Sequence, residues 1–178
     1  LKAMDAATLA VLSRGGEAEL AQIFPALDTR PRASAVRGEP ADVKARLLWT
    51  FSQFVRRLAG RRPLLLVLEN LHWADASSLE LLHFTARQLG DQPALILCSY
   101  NEAQRDANSA LASTERSLVG LGAATVVRLE PWSRAESDEL LSRVFDVDVE
   151  NTGDFAARLY ERTRGNPFFT EETLKALI

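Results

Sequence analysis

Two polar residues at the end of an apolar run are the first candidates for chemistry in this sequence. Five apolar residues, Leu64 to Leu68, are followed directly by Glu69 and Asn70. A strand that ends in a carboxylate carries it to the edge of a sheet, where it can hold the magnesium shell beside phosphates. The pattern alone is weak, because many buried strands end in residues of these types.

Four residues further along have side chains with either a chemical or a structural use. His72 could relay the state of the site to the next helix, or it could be held by local hydrogen bonds. Asp75 is predicted to cap the following helix, and Trp73 is predicted to pack. Cys98, the only cysteine, lies in an apolar run and is predicted to be inert.

Alternating strands and helices are predicted to position these residues. The apolar periodicity predicts helices over residues 3–13, 17–24, 41–60, 76–89 and 107–121, and strands over 64–68, 93–100 and 124–129. A loop over 28–40 is the best linker candidate, because it combines proline, glycine and charge. The first two strands are continuous apolar runs, as expected of strands covered on both faces of a parallel sheet. The alternation predicts an α/β fold.

The last part of the chain is predicted to be helical. Ser133 and Glu136 have the spacing of a capping box that begins a helix through residue 145. A second helix over 154–164 is predicted to end at Gly165, and the tail, 168–178, is predicted to be a third. We therefore expect a helical, variable segment over 1–40, an α/β core over 41–130 and a helical subdomain over 131–178.

Composition narrows the class of protein. The chain has 178 residues, 47% of them hydrophobic, and a formal net charge of -3. This charge provides no global attraction to nucleic acid or anionic lipid. A single cysteine excludes an internal disulfide, and no residue spacing indicates a zinc site, so a cytoplasmic location is favoured. No apolar run approaches the length of a membrane span, and no membrane partner is expected.

Three segments carry a resemblance to a known family. Residues 62–82, which include the run Leu-His-Trp-Ala-Asp at 71–75, closely resemble the Walker B region of bacterial STAND-type AAA ATPases. Such domains occur in large LuxR-type transcriptional regulators, in adenylate cyclases and in kinase-linked sensors. Residues 94–102 resemble the sensor 1 strand, and 162–172 resemble the Gly-Asn-Pro-Phe-Phe segment after the core. The resemblance covers 41–178, and it implies a P-loop NTPase-like sheet flanked by helices; residues 1–40 are only compatible with the family's variable stretch.

The resemblance also implies roles for individual residues. Glu69 matches the magnesium position, where an aspartate is common. Asn70 matches a second acidic position, and its amide cannot accept a proton from an attacking water. Asn101 matches the position of an arginine that reaches the γ-phosphate, and asparagine lacks both the charge and the reach. All three substitutions are expected to weaken hydrolysis.

The Gly165-Asn166-Pro167 turn matches a segment that resembles the adenine-side contact of STAND proteins. A plain helix stop accounts for the same three residues, because glycine ends helices and proline follows such ends. Both interpretations remain open at this stage.

The phosphate-binding loop of the family is missing from the sequence. That loop needs G-x-x-x-x-G-K-[ST], and the three lysines all lie outside glycine-rich turns. In the family the strand before the loop lies next to the sensor strand, so its absence would leave a gap within the sheet. Because the chain begins at Leu1, we expect a segment of a longer polypeptide in which the loop precedes Leu1. Otherwise the sheet closes up, pairs with another chain or is marginally stable.

The leading hypothesis is therefore a regulatory nucleotide switch. ATP and magnesium would be the cofactors of the full-length protein, would bind this segment weakly or not at all, and would gate an attached output domain. A DNA-binding output domain and self-association are further expectations. The alternative is a non-enzymatic scaffold derived from an ATPase. A hydrolase is less favoured, because there is no G-x-S-x-G motif and neither His72 nor His83 has an evident nucleophile partner.

Overall fold

A computed structural model describes residues 6–24, 39–146 and 153–176, and these residues divide into two compact units, 1–126 and 127–178. The first unit contains helices α1 (Ala6–Ser13), α2 (Glu17–Ile23), α3 (Pro40–Ala59), α4 (Ala76–Gln88), α5 (Glu102–Arg105) and α6 (Ser109–Gly120), with strands β1 (Leu64–Leu68) and β2 (Ala94–Cys98). The second contains α7 (Arg134–Phe145), α8 (Gly153–Thr163) and α9 (Pro167–Lys175). None of the helices in these ranges is long and apolar enough to cross a membrane.

The sheet of the first unit has two parallel strands in register, with Leu64 paired to Ala94 and Leu68 paired to Cys98. Its inner face packs against a core formed by α1, α2, α3 and the end of α4. The buried members of this core are Leu12, Leu20, Phe54, Val55 and Leu89, and Leu64, Ala94 and Ile96 pack against them. The strands are therefore anchored on one side by helices.

The opposite face of the sheet is exposed. Leu65, Val67, Leu95 and Leu97 point away from the core and are 59%, 48%, 60% and 54% exposed. The prediction that both strands are covered on two faces is therefore wrong for the described residues. A run of apolar residues permits burial on both faces, but burial itself requires a second layer of structure.

The predicted third strand is also absent. Residues 124–129 are described and form no strand, and Val127 and Leu129 are largely exposed. A strand needs a hydrogen-bonded neighbour, and among the described residues β1 and β2 pair only with each other. High β-propensity in 124–129 is thus not sufficient to make a strand.

Most predicted helices are present, with ends shifted by a few residues. The short helix α5, between β2 and α6, was not predicted. The capping box is confirmed: the Ser133 backbone donates to Glu136 Oε2 at 2.7 Å, and the Glu136 backbone donates to Ser133 Oγ at 3.3 Å. The predicted loop over 28–40 lies almost entirely outside the described residues.

The fold class follows from these elements. The protein is a helix-rich α/β protein with a small parallel sheet flanked by helices, followed by a helical part whose buried core is Leu141, Ala156, Leu159 and Leu174. This architecture agrees with the predicted incomplete P-loop NTPase-like fold.

Candidate functional site

The loops that follow β1 and β2 meet at the carboxyl edge of the sheet. Ser99 continues the pairing, because its backbone N–H donates to Leu68 O at 2.9 Å. Ser99 O in turn accepts from Leu71 N at 2.9 Å, and Ser99 Oγ accepts from Asn70 N at 3.4 Å. The end of parallel strands is where open α/β sheets bind ligands. The parallel pairing of β1 and β2 therefore brings Glu69, Asn70 and Asn101 to one edge.

Two further hydrogen-bonding groups join these loops. His72 Nδ1 accepts from the backbone N–H of Asn101 at 3.1 Å. The side-chain amide of Asn108 donates to His72 O at 3.2 Å and to Ala74 O at 3.0 Å. His72 is thus held by hydrogen bonds, as the alternative for this residue expected, but they are not local, because its ring bonds to Asn101 in the other loop.

Glu69 is exposed at this edge. Within the described ranges, no group of three or more histidine, cysteine, aspartate or glutamate residues could hold a metal ion. Magnesium in nucleotide sites uses one or two carboxylates together with phosphates and waters. One exposed carboxylate fits magnesium that arrives with a nucleotide, and it does not fit a metal site built by protein ligands alone.

Asn70 adopts a left-handed backbone conformation, with φ 59° and ψ 41°. Asparagine and aspartate enter this region more readily than other residues with a Cβ. The conformation explains why a residue of this type stands at position 70. It does not discriminate between the amide and the carboxylate that the resemblance would place there.

Asn101 caps the short helix α5, because its Oδ1 accepts from Ala103 N at 2.9 Å. Its side chain thus has a structural use in addition to its position at the edge of the sheet. The predicted role near the γ-phosphate stays a prediction.

A polar cluster beside Asn101 was not identified from the sequence. Tyr100 Oη donates to Glu115 Oε2 at 2.5 Å, and Arg105 donates to both carboxylate oxygens of Glu115 at 3.1 and 2.8 Å. Desolvation, followed by the hydrogen bond to Glu115 and its negative charge, raises the pKa of Tyr100 to about 12. Tyr100, which precedes Asn101, and Arg105, which follows it, are therefore both bonded to Glu115 of α6. Only the fold brings Glu115 close to them.

The prediction for Asp75 is confirmed, whereas the prediction for Trp73 is not. Asp75 Oδ1 accepts from the backbone N–H groups of Ser77 and Ser78 at 2.8 and 2.9 Å, so the predicted N-cap is confirmed. Trp73 is 75% exposed and contacts the His72 ring at a centroid distance of 4.7 Å. The prediction of a packed tryptophan is wrong for the described residues, since no residue of the short 3-10 turn Leu71–Trp73 is buried.

Two other side chains bear on reactivity. Cys98 is half-buried, and burial raises the pKa of its thiol, in agreement with an inert cysteine. His83 Nε2 lies 2.8 Å from Ser117 Oγ, a hydroxyl that no sequence pattern indicated as its partner. Ser117 lies well past the first turn of α6. Beyond that turn the backbone N–H groups of a helix donate to carbonyls of the same helix, so no N–H group near Ser117 is available to stabilise an oxyanion. The pair is a structural hydrogen bond between two helices.

In the second unit, the Gly165-Asn166-Pro167 turn has a structural role at each position. Gly165 has φ +72°, and its backbone oxygen accepts from Trp132 N at 2.8 Å. Asn166 Oδ1 accepts from Phe169 N at 3.2 Å and so caps α9, in which Pro167 occupies the first position. These contacts support the helix-stop interpretation, and the adenine-side role stays a prediction.

Comparison with known proteins adds one decisive observation. A family model described as an AAA ATPase domain matches residues 1–98. The chain belongs to the AAA ATPase domain family. No curated protein and no solved structure matches the chain.

Membership of the AAA ATPase domain family indicates a nucleotide-binding, ATPase-like domain, and such domains typically bind magnesium with the nucleotide. The matched range contains β1, β2 and the Glu69-Asn70 loop, and it ends directly before Ser99. It also contains residues 1–40, which the sequence resemblance had left as merely compatible.

Proposed function

We propose that this AAA ATPase domain is part of a regulatory nucleotide switch in signal transduction, of the STAND type found in LuxR-type regulators. The observation that supports it best is the joining of two loops at the carboxyl edge of the sheet in a chain of this family. A bound γ-phosphate at such an edge can change the position of both loops. The proposed output is an attached domain, for which DNA binding is one alternative, and the proposed compartment is the cytoplasm.

The proposed ligand is ATP or ADP with magnesium. The magnesium ion supplies charge neutralisation at the phosphates, and Glu69 is the residue that would hold its shell. Asn70 would orient a water without accepting its proton, and Asn101 would contact a phosphate without adding positive charge. The domain is therefore proposed to hydrolyse ATP weakly or not at all.

Affinity for nucleotide is proposed to be low in this chain. The sequence has no G-x-x-x-x-G-K-[ST] loop, so it lacks the backbone N–H groups and the lysine that normally bind the phosphates. Contacts through Glu69 and Asn101 alone are expected to give a Kd of about 1 mM or weaker. The adenine-side role of Gly165, Asn166 and Pro167 is proposed separately, within its own unit.

An NMR titration with ATP and magnesium tests the proposal. We expect backbone signals of residues 69–74 and of Asn101 to shift, and to approach saturation only above about 1 mM nucleotide. Glu69→Gln should reduce the magnesium-dependent part of these shifts. Glu39→Gln, which removes an exposed carboxylate at the start of α3, should leave them unchanged.

The outcomes of the titration separate two candidate functions. Shifts at the carboxyl edge support the switch, whereas saturable binding in the micromolar range would contradict the proposed low affinity. No shift at the carboxyl edge at about 10 mM nucleotide would reject nucleotide binding by this segment. That result would favour the second candidate, a non-enzymatic scaffold, which is supported by the amides at 70 and 101 and by the exposed apolar face of the sheet.

A further inference from the structure

Asn108 performs two tasks with the two ends of its amide. Its Oδ1 accepts from Leu111 N at 3.1 Å and so caps α6. Its Nδ2 donates to His72 O and Ala74 O, the two carbonyls of the turn after β1. An aspartate or serine at this position could cap the helix equally well. The donation to two carbonyls requires an amide nitrogen, so the cap alone does not explain the residue type.

His72 provides the second connection. Its Nδ1 accepts from Asn101 N, which requires a neutral ring whose proton is on Nε2. The backbone oxygen of the same residue accepts from Asn108. The Asn108 amide therefore holds the turn that presents the His72 ring to the Asn101 loop. Half-burial of both His72 and Asn108 gives these hydrogen bonds partial protection from water.

We propose that Asn108 and His72 are positioning residues that make the loop after β1 and the loop after β2 move as one body. The proposal rests on the proposed function, because it explains how Glu69 and Asn101 would respond together to one nucleotide. The two carbonyls held by Asn108 lie three and five residues after Glu69. A shift of this loop is therefore transmitted to Asn101 through the His72 ring, and to α6 through Asn108.

Asn108→Asp tests the role without removing the helix cap. The aspartate keeps an oxygen for Leu111 N, but it loses the donor and places a negative charge beside two carbonyl oxygens. We expect amide hydrogen exchange at Asn101 and Leu71 to become about ten-fold faster, while the unfolding midpoint changes little. We also expect the His72 ring, followed by its ¹⁵N shifts, to change from a single Nε2–H tautomer to a mixture. His83, the only other histidine, serves as the internal reference.

Ser109→Asp is the matched control. Ser109 is the exposed first residue of α6, so its substitution adds the same charge one position away and keeps the Asn108 amide. We expect exchange at Asn101 and the His72 tautomer to stay as in the wild type. Asn108→Ser, which keeps a cap and adds no charge, should behave like Asn108→Asp. If Asn108→Asp fails to fold, Asn108→Ser provides the test by itself.

The coupling has its own readout in the presence of ATP and magnesium. In the wild type, the NMR signals of Glu69 and Asn101 should shift together as the nucleotide concentration rises. In Asn108→Asp, the signal of Asn101 should shift less than that of Glu69, or not at all. Unchanged exchange and an unchanged tautomer in both Asn108 variants would overturn the proposal, even if nucleotide binds. If ATP and magnesium cause no NMR shifts in the wild type, the proposed function is rejected instead. The amide hydrogen exchange of the Asn108 variants would still decide whether Asn108 and His72 are positioning residues.

Discussion

At the scale of single residues, the backbone conformation constrains the candidate site as strongly as the chemistry does. Asn70 and Gly165 both have positive φ, and both belong to segments that resemble functional motifs. Each residue type is therefore explained by geometry before any ligand is considered. Roles in chemistry require experiments that separate the side chain from the backbone conformation.

Asn70→Ala is expected to lower the free energy of unfolding by about 1 kcal/mol, because alanine is disfavoured in the left-handed region. Asn70→Gly and Asn70→Asp should stay close to the wild type, since both residue types accept this conformation. Urea denaturation followed by circular dichroism measures the differences. Equal stability of the alanine and glycine variants would show that the conformation at position 70 is not the constraint.

Gly165→Ala is expected to destabilise the second unit by more than about 1 kcal/mol. The backbone has φ +72°, and a Cβ would lie 2.0 Å from the backbone oxygen of Trp132, which cannot move away as a flexible side chain could. Gly153→Ala is the control within the same unit, because a Cβ there meets open space. Thermal unfolding of both variants provides the comparison, and a Gly165→Ala midpoint equal to that of the wild type contradicts the prediction.

At the scale of elements, the ends of helices and strands determine where functional residues lie. The cap at Asp75 begins α4 directly after the turn that carries His72 and Trp73. The paired strands end at Leu68 and Cys98, so Glu69 and Ser99 are the first residues after them. These boundaries follow from local residue choices, which is why the sequence predicted them well.

Asp75→Asn is expected to lower stability at neutral pH and to have a diminishing effect in acid. The backbone N–H of Ser78 and, to a smaller extent, its hydroxyl donate hydrogen bonds that hold the pKa of the Asp75 carboxyl below its usual range. A carboxyl whose pKa is lowered by folding stabilises the protein above its unfolded value and loses that contribution as the pH falls through the folded pKa. Chemical denaturation of both proteins at pH 7 and near pH 3 measures the effect. A difference that grows in acid would contradict this linkage.

At the scale of the whole molecule, the sheet of the first unit leaves one apolar face exposed among the described residues. Four aliphatic side chains from two adjacent strands form a continuous apolar patch, which monomeric proteins rarely leave open. The described helices of the first unit cover only the opposite face. We expect this face to make the chain prone to self-association.

The double substitution Val67→Lys with Leu95→Lys should reduce binding of a hydrophobic dye to roughly half of the wild-type signal or less. Charge on the exposed face should also shift the sedimentation profile toward monomer. Val119→Lys with Leu121→Lys is the matched control, since both residues are apolar and exposed in the same unit but belong to the end of α6 rather than to a strand. Equal dye binding by the two double variants would contradict a special role for the sheet face.

The sequence predicted those parts of the fold that are set by residues close together in the chain. The capping residues Asp75 and Ser133 and most helices depend on neighbours within a few positions, and these predictions agree with the structure. The strand predicted over 124–129 and the double-sided burial of β1 and β2 depend on partners elsewhere in the fold. Those partners are absent from the described residues, so the predictions were wrong.

The candidate site shows the same division. The sequence by itself determined the motif at 62–82 and the position of Glu69, Asn70 and Asn101 after two predicted strands. The parallel pairing of those strands in the structure brings their carboxyl ends to one edge. Only the tertiary structure decided that His72 bonds to Asn101, that Asn108 holds the turn, and that Glu115 ties Tyr100 to Arg105. These contacts join residues 10 to 36 positions apart, a separation at which local pattern no longer specifies which side chains meet.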